Sequence, residues 1–143
     1  MKKYLIYKIA FFFFITVFTS ACTKDSNETE INLAFQMLGN KTWFLEYSQY
    51  TNGGNTTTNT FVGQSTYFIN FLSNFTTKDS DGITGTYTVV KNGNQLQILV
   101  SAKTANGNNS NYQYNVISLG AKQMVLSSTS NTTSAKYYYS TQK

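Results

Sequence analysis

Cys22 is the single thiol in a chain of 143 residues that contains no histidine. A lone thiol could serve as a nucleophile, a metal ligand, half of a disulfide or a point of attachment. Without histidine, neither a Ser-His-Asp nor a Cys-His arrangement can be assembled. The commonest general base near neutral pH is also missing. Zinc sites of the usual Cys/His type fall away for the same reason, and with no second cysteine so does a disulfide within the chain. The acidic groups of the folded region are Glu46, Asp79 and Asp81. Asp79 and Asp81 share the stretch "DSDG". A glycosidase needs a carboxylate pair, and a calcium loop needs further oxygen ligands and a glutamate at its twelfth position, around which this chain offers Asn92-Gly93. The two acids therefore read as turn residues. The glycine-rich pieces "NGGN", "NGN" and "ANGN" are hairpin chemistry, and neither GxGxxG opening a helix nor a P-loop occurs. This inventory predicts a protein that is not an enzyme and has no cofactor or metal.

The net charge of +5 suggests a nucleic-acid partner at first sight. Three of the eleven lysines, Lys2, Lys3 and Lys8, belong to the extreme N-terminus, and from residue 22 onward eight lysines face six acids, leaving +2. Those lysines are scattered and there is no arginine. A nucleic-acid surface needs clustered cations and reads bases mainly with arginine. Nucleic acid is not an expected partner.

The N-terminus has its own logic. Lys2, Lys3 and Lys8 precede an apolar run from Ile9 to Phe18, followed by the small residues Thr19, Ser20 and Ala21. That three-part order is the pattern of a secretory signal. The run from Ile9 to Ala21 is thirteen residues, short of the ~20 that a membrane span requires. It is apolar on every side, unlike an amphipathic core helix. Residues 1–21 are therefore expected to be a signal peptide. Residues 23–30, "TKDSNETE", carry no apolar periodicity and read as a flexible tether.

Beyond residue 30 the pattern is structural. Ile31, Phe35 and Leu38 recur at helical spacing, predicting a short helix over 31–38, and Gly39-Asn40 marks its end. Then the period changes to two. Strands are expected at 42–50, 65–72, 75–78, 84–90, 95–101, 112–119, 123–128 and 136–141, with polar loops at 52–60 and 105–111. Asn92-Gly93 is a strong hairpin signal. Every connection is too short for a crossover helix, so neighbours should pair antiparallel as an up-and-down meander. Closing eight strands into a barrel removes both sheet edges; a two-sheet sandwich is the competing arrangement. Alternation turns Trp43, Tyr67, Ile69, Phe71, Tyr87, Tyr112, Tyr114, Tyr137 and Tyr139 inward. They could line a ligand pocket with stacking and hydrogen-bonding phenol groups, or fill the core, as a barrel of this size permits. Tyr138, Phe44 and Phe68 share the outward phase. They could form a partner or glycan surface; the helix is expected to cover that patch instead, through Phe35 and Leu38.

Two resemblances attach to these residues. A signal segment whose small residues end directly before Cys22 resembles the lipobox of bacterial lipoproteins, and "TKDS" is similar to the surface-export address of Bacteroidota lipoproteins through Lys24 and Asp25. The resemblance implies cleavage before Cys22, a diacylglycerol on its sulfur and an acyl chain on its amine. Residues 22–30 would then be a lipidated tether, and the membrane a partner through Cys22. The protein would sit in the cell envelope, on the periplasmic or surface face of the outer membrane. Leu38, Gly39 and Trp43, with "FINFLSNFTTKDSDGITGTYTV", resemble the lipocalin-like domain of small Bacteroidota lipoproteins, over roughly residues 33–141. That implies an all-β, eight-stranded lipocalin-like barrel over 31–143 with a short N-terminal helix, binding a small apolar or amphipathic ligand. The alternative is an interaction module that contacts protein or glycan through loops 51–64 and 104–111. Cavity volume separates the two, because small-molecule sites are typically several hundred Å3.

Overall fold

The computed structural model describes residues 26–104, 106–130 and 132–142. The expected signal peptide 1–21, Cys22 and the first part of the tether lie outside the described residues.

The helix α1 runs over Ser26–Leu38. It begins five residues before the predicted start, so residues 26–30, read as tether, are helical. Glu28 in the first turn complements the helix dipole. One stripe, Ile31, Ala34, Phe35 and Leu38, faces the core. The helix stops where the sequence signals it. Gly39 N–H still bonds Phe35 O at 2.9 Å, and Asn40 takes the left-handed conformation at φ 57° that ends helices. The Asn40 side chain accepts a bond from Ser73 N at 3.1 Å, and the Trp43 indole N–H donates to Leu38 O at 3.2 Å. These bonds latch the helix end onto the sheet.

Among the described residues nine strands follow: β1 (Lys41–Asn52), β2 (Asn55–Thr60), β3 (Phe68–Phe71), β4 (Thr76–Asp79), β5 (Thr84–Asn92), β6 (Gln95–Lys103), β7 (Asn109–Leu119), β8 (Gln123–Ser130) and β9 (Thr133–Ser140). All pairings are antiparallel. Eight strands, β1 and β3 to β9, form the meander, and β9 pairs back onto β1 to close an all-β barrel as expected. The Asn92-Gly93 signal makes the β5–β6 hairpin, with Gly93 at φ 59°.

The ninth strand corrects the sequence reading. Residues 52–60, expected to be a loop, fold back through Gly53-Gly54 as β2, which pairs with Tyr47–Asn52 of β1. β3 pairs with Lys41–Phe44 on the same edge. β2 is a hairpin arm outside the barrel, exposed along its whole length. A strand wetted on both faces needs no apolar alternation, and so "NTTTNT" gave no strand signal.

Three local departures set side-chain directions. In β7 the register against β8 steps from Val116↔Leu126 to Ser118↔Val125, a bulge at Ile117. In β1 the register against β9 steps from Leu45↔Tyr139 to Tyr47↔Tyr138, a bulge at Glu46. A one-residue slip exchanges the faces. Trp43 faces inward as expected, with Leu45; Ser48 and Tyr50 then take the inward phase, Ser48 buried and Tyr50 38% exposed, while Tyr47 turns out. Gly85 in β5 lies so close to β6 that an added Cβ would sit 2.7 Å from Ala102 Cα and closer still to Ser101 O. The missing side chain allows the sheet to bend tightly there.

The most enclosed core, Leu38, Trp43, Phe71, Ile98, Met124 and Leu126, is fully buried. Each such side chain stabilises the fold by about 1.5–3 kcal/mol. Helix α1 seals this end of the barrel. Phe35 meets Phe75 edge-on at 5.1 Å and Tyr87 at 5.9 Å, and Glu30 pairs with Lys91 at 2.7 Å. The expectation that α1 covers Phe44, Phe68 and Tyr138 is therefore wrong, because its apolar stripe is taken up by the barrel end. Phe44 and Phe68 pair with each other at 6.5 Å, and Tyr138 stacks on Tyr47 at 4.0 Å.

Candidate functional site

β5 runs away from the β4–β5 turn towards the helix, so this turn marks the opposite end of the barrel. Here the inward positions change character. Above the aliphatic core, β1, β7 and β9 turn Ser48, Tyr50, Tyr112, Tyr114, Tyr137 and Tyr139 inward, and β4 adds Thr77 and Asp79. The alternation that places them was legible; their convergence on one end follows from strand register. Ile98 pairs with Tyr114 and Val100 with Tyr112 across β6–β7, and Ile69 pairs with Asp79 across β3–β4.

The rings form a connected wall. Tyr112 and Tyr114 stack with centroids 6.4 Å apart and planes at 14°. Tyr137 meets Tyr114 edge-on at 6.0 Å and Tyr50 at 6.2 Å. Burial pushes the Tyr114 hydroxyl up to about 12, with smaller contributions from Tyr137, Tyr112, Asp79 and Tyr50. Burial also raises Tyr139, most strongly of the group, with Tyr114, Tyr137, Tyr50 and Asp79 adding to it. Tyr137 is raised by burial against the opposing hydrogen bond to Ser128. These phenols stay neutral and present hydroxyls that both donate and accept.

Between β3–β4 and β6–β7 lies a partly open cavity of about 150 Å3, with Tyr112 38% exposed at its edge. Its walls are Ile69, Ile83, Val100 and Ala102 on the apolar side, and Thr77, Asp79, Tyr112 and Tyr114 on the polar side. Asp79 makes the expected turn, since Oδ1 accepts from Asp81 N at 3.0 Å and from Ile83 N at 2.9 Å. It also faces the cavity, and the sequence reading did not place it there. The signal was available, because Asp79 shares the phase of Thr77, but the turn motif masked it.

The nine residues expected to line a pocket divide into four groups. Ile69, Tyr112 and Tyr114 border the cavity. Tyr137 and Tyr139 belong to the same tyrosine cluster. Trp43, Phe71 and Tyr87 are sealed core; burial raises the Tyr87 hydroxyl, which donates to Leu72 O at 3.1 Å. Tyr67 is not interior. It precedes β3, is 41% exposed and packs on Phe61 at 4.7 Å.

The outer wall has a larger but shallow groove of about 1150 Å3, bordered by Glu46, Tyr47, Val62, Lys122, Tyr138 and Gln142 among others. Among the described residues no cluster of three or more His, Cys, Asp or Glu side chains could hold a metal ion, and no helix is long and apolar enough to cross a membrane. No protein-family model matches the chain, and comparison with curated proteins and with solved structures finds no match.

Proposed function

We propose that this is a lipid-anchored, non-catalytic envelope protein whose barrel holds a small amphipathic molecule at its open end. The observation that carries the binding half is the cavity of about 150 Å3, with aliphatic walls on one side and phenol, hydroxyl and carboxylate groups on the other. Small-molecule sites combine an apolar surface with a few placed polar groups in this way. The volume is below the several hundred Å3 of a drug-sized site, which narrows the ligand to a few carbons with a polar head and sets aside a long acyl chain. The anchor half rests on the order of basic residues, apolar run, small residues and Cys22. Two or more acyl chains hold a protein stably on a membrane, so an acylated Cys22 would suffice.

Native mass spectrometry of gently purified protein tests the binding half. The expected result is a small non-covalent adduct that is lost on denaturation; protein that stays bare in the presence of small amphipathic molecules contradicts it. For the anchor, Cys22→Ser should leave the protein unprocessed or released from membranes. Processed Cys22→Ser protein that still fractionates with membranes would remove the lipoprotein reading.

A second reading has an observation of its own. The outer groove carries the stacked Tyr47–Tyr138 pair, a flat aromatic surface suited to a protein or glycan partner. It lies beside the segment 51–64, which holds the exposed arm β2.

A further inference from the structure

Among the described residues three charged side chains occupy inward phases of the barrel, and they are not treated alike. Lys91 lies at the helix end and pairs with Glu30. Lys41 lies at the same end, donates to Ala121 O at 3.1 Å and rests 5.6 Å over the Trp43 ring. Asp79 lies at the open end. Its Oδ1 is committed to the β4–β5 turn. Its Oδ2 has no hydrogen bond, and the carboxylate has no salt-bridge partner among the described residues. A half-buried carboxylate oxygen that lines a cavity and is not used by the protein can accept a charge-assisted hydrogen bond from an entering cation. The other walls favour the same kind of guest. Tyr112 and Tyr114 present parallel rings 6.4 Å apart, and aromatic faces attract cations. The residues lining the cavity include no lysine or arginine, so no fixed positive charge there competes for Asp79. A single carboxylate without further acidic or imidazole ligands is poor for a metal ion, which leaves an organic cation.

We propose that the cavity selects a compact organic ammonium of a few carbons, with Asp79 Oδ2 as its counter-ion and the Tyr112–Tyr114 rings as its aromatic wall. The ammonium hydrogens reach the carboxylate, and the carbon chain lies against Ile69, Ile83 and Val100. The inference deepens the proposed ligand-binding reading and rests on it.

The test uses the full chain in detergent micelles, titrated with n-butylammonium, tetramethylammonium, n-butanol and n-butyrate. The readout is the NMR signals of Ile83, Tyr112 and Tyr114. n-Butylammonium should bind about tenfold more tightly than n-butanol, as a charge-assisted hydrogen bond provides, and n-butyrate should be excluded. Asp79→Asn keeps the Oδ1 acceptor and hence the turn. It should remove that about tenfold advantage and leave n-butanol binding unchanged. If the amide signals of Asp81 and Ile83 show that the turn has moved, Tyr112→Leu is the second variant. It should weaken tetramethylammonium binding about three- to tenfold and spare n-butanol. Equal affinity for n-butanol and n-butylammonium at these residues overturns the cation selectivity but leaves the mouth a ligand site. Unchanged ammonium affinity in both variants overturns it likewise. No response of these residues to any probe overturns both this inference and the reading beneath it.

Discussion

The two ends of the barrel are built from one meander and reach opposite states. At the helix end, Trp43, Phe71, Met124 and Leu38 leave no accessible surface, and both inward lysines have partners. At the open end the inward residues include tyrosines, threonine and serine beside Ile69 and Ile83, Asp79 has no salt-bridge partner among the described residues, and about 150 Å3 stays unfilled. The strands are the same, so the difference lies in what alternate positions carry. Aliphatic and indole groups close-pack as in a crystal. Rigid phenols, each needing a partner for its hydroxyl, do not pack as completely. Stability is thus concentrated at one end, and room for a ligand is left at the other.

Substitutions that break this contrast should rank in size. Trp43→Ala removes the largest fully buried side chain and leaves the Leu38 carbonyl without its donor; it should cost about 3–5 kcal/mol in denaturant unfolding. Alkaline pH attacks the other end. The Tyr114 hydroxyl is raised from 10.0 to about 12. A group whose folded pKa exceeds its unfolded one adds stability that is complete below the unfolded value and is lost as pH rises through the folded value. The loss should run from pH 10 towards 12 and amount to at most about 3 kcal/mol for Tyr114. Unfolding midpoints at pH 8 and pH 11.5 measure it, and Tyr114→Phe should flatten this part of the decline. Gly85→Ala drives a methyl into the β6 backbone and should cost about 1–3 kcal/mol by thermal unfolding. Glu30→Gln, which breaks a pair half-open to water, should change the denaturation free energy by less than about 1 kcal/mol.

The barrel was legible because inward and outward residues alternate over β5, β6, β8, β9 and β7 as far as Val116, and the short links force antiparallel pairing. Three features were not. β2 is polar on both faces and leaves no period to detect. The Glu46 bulge inverts the phase of β1 halfway along, and no local residue type announces it. The helix was seen, but its destination was misplaced, since a stripe of Ile31, Phe35 and Leu38 does not say which apolar surface it meets. The same limit holds for the site. Ile69, Tyr112 and Tyr114 could be named from alternation, whereas the turn motif masked the inward phase that Asp79 shares with Thr77 and that sets it opposite Ile69. Tyr67 failed because alternation was extended past the start of β3.

The most direct test of the contrast is where a small amphipathic molecule touches the protein. Intermolecular nuclear Overhauser effects from n-butanol should connect it to the Tyr112 and Tyr114 rings and the Ile83 methyls, with none to Trp43 or Leu38. Contacts confined to the outer surface at Tyr47 and Tyr138, or contacts in the helix-sealed core, would contradict the account.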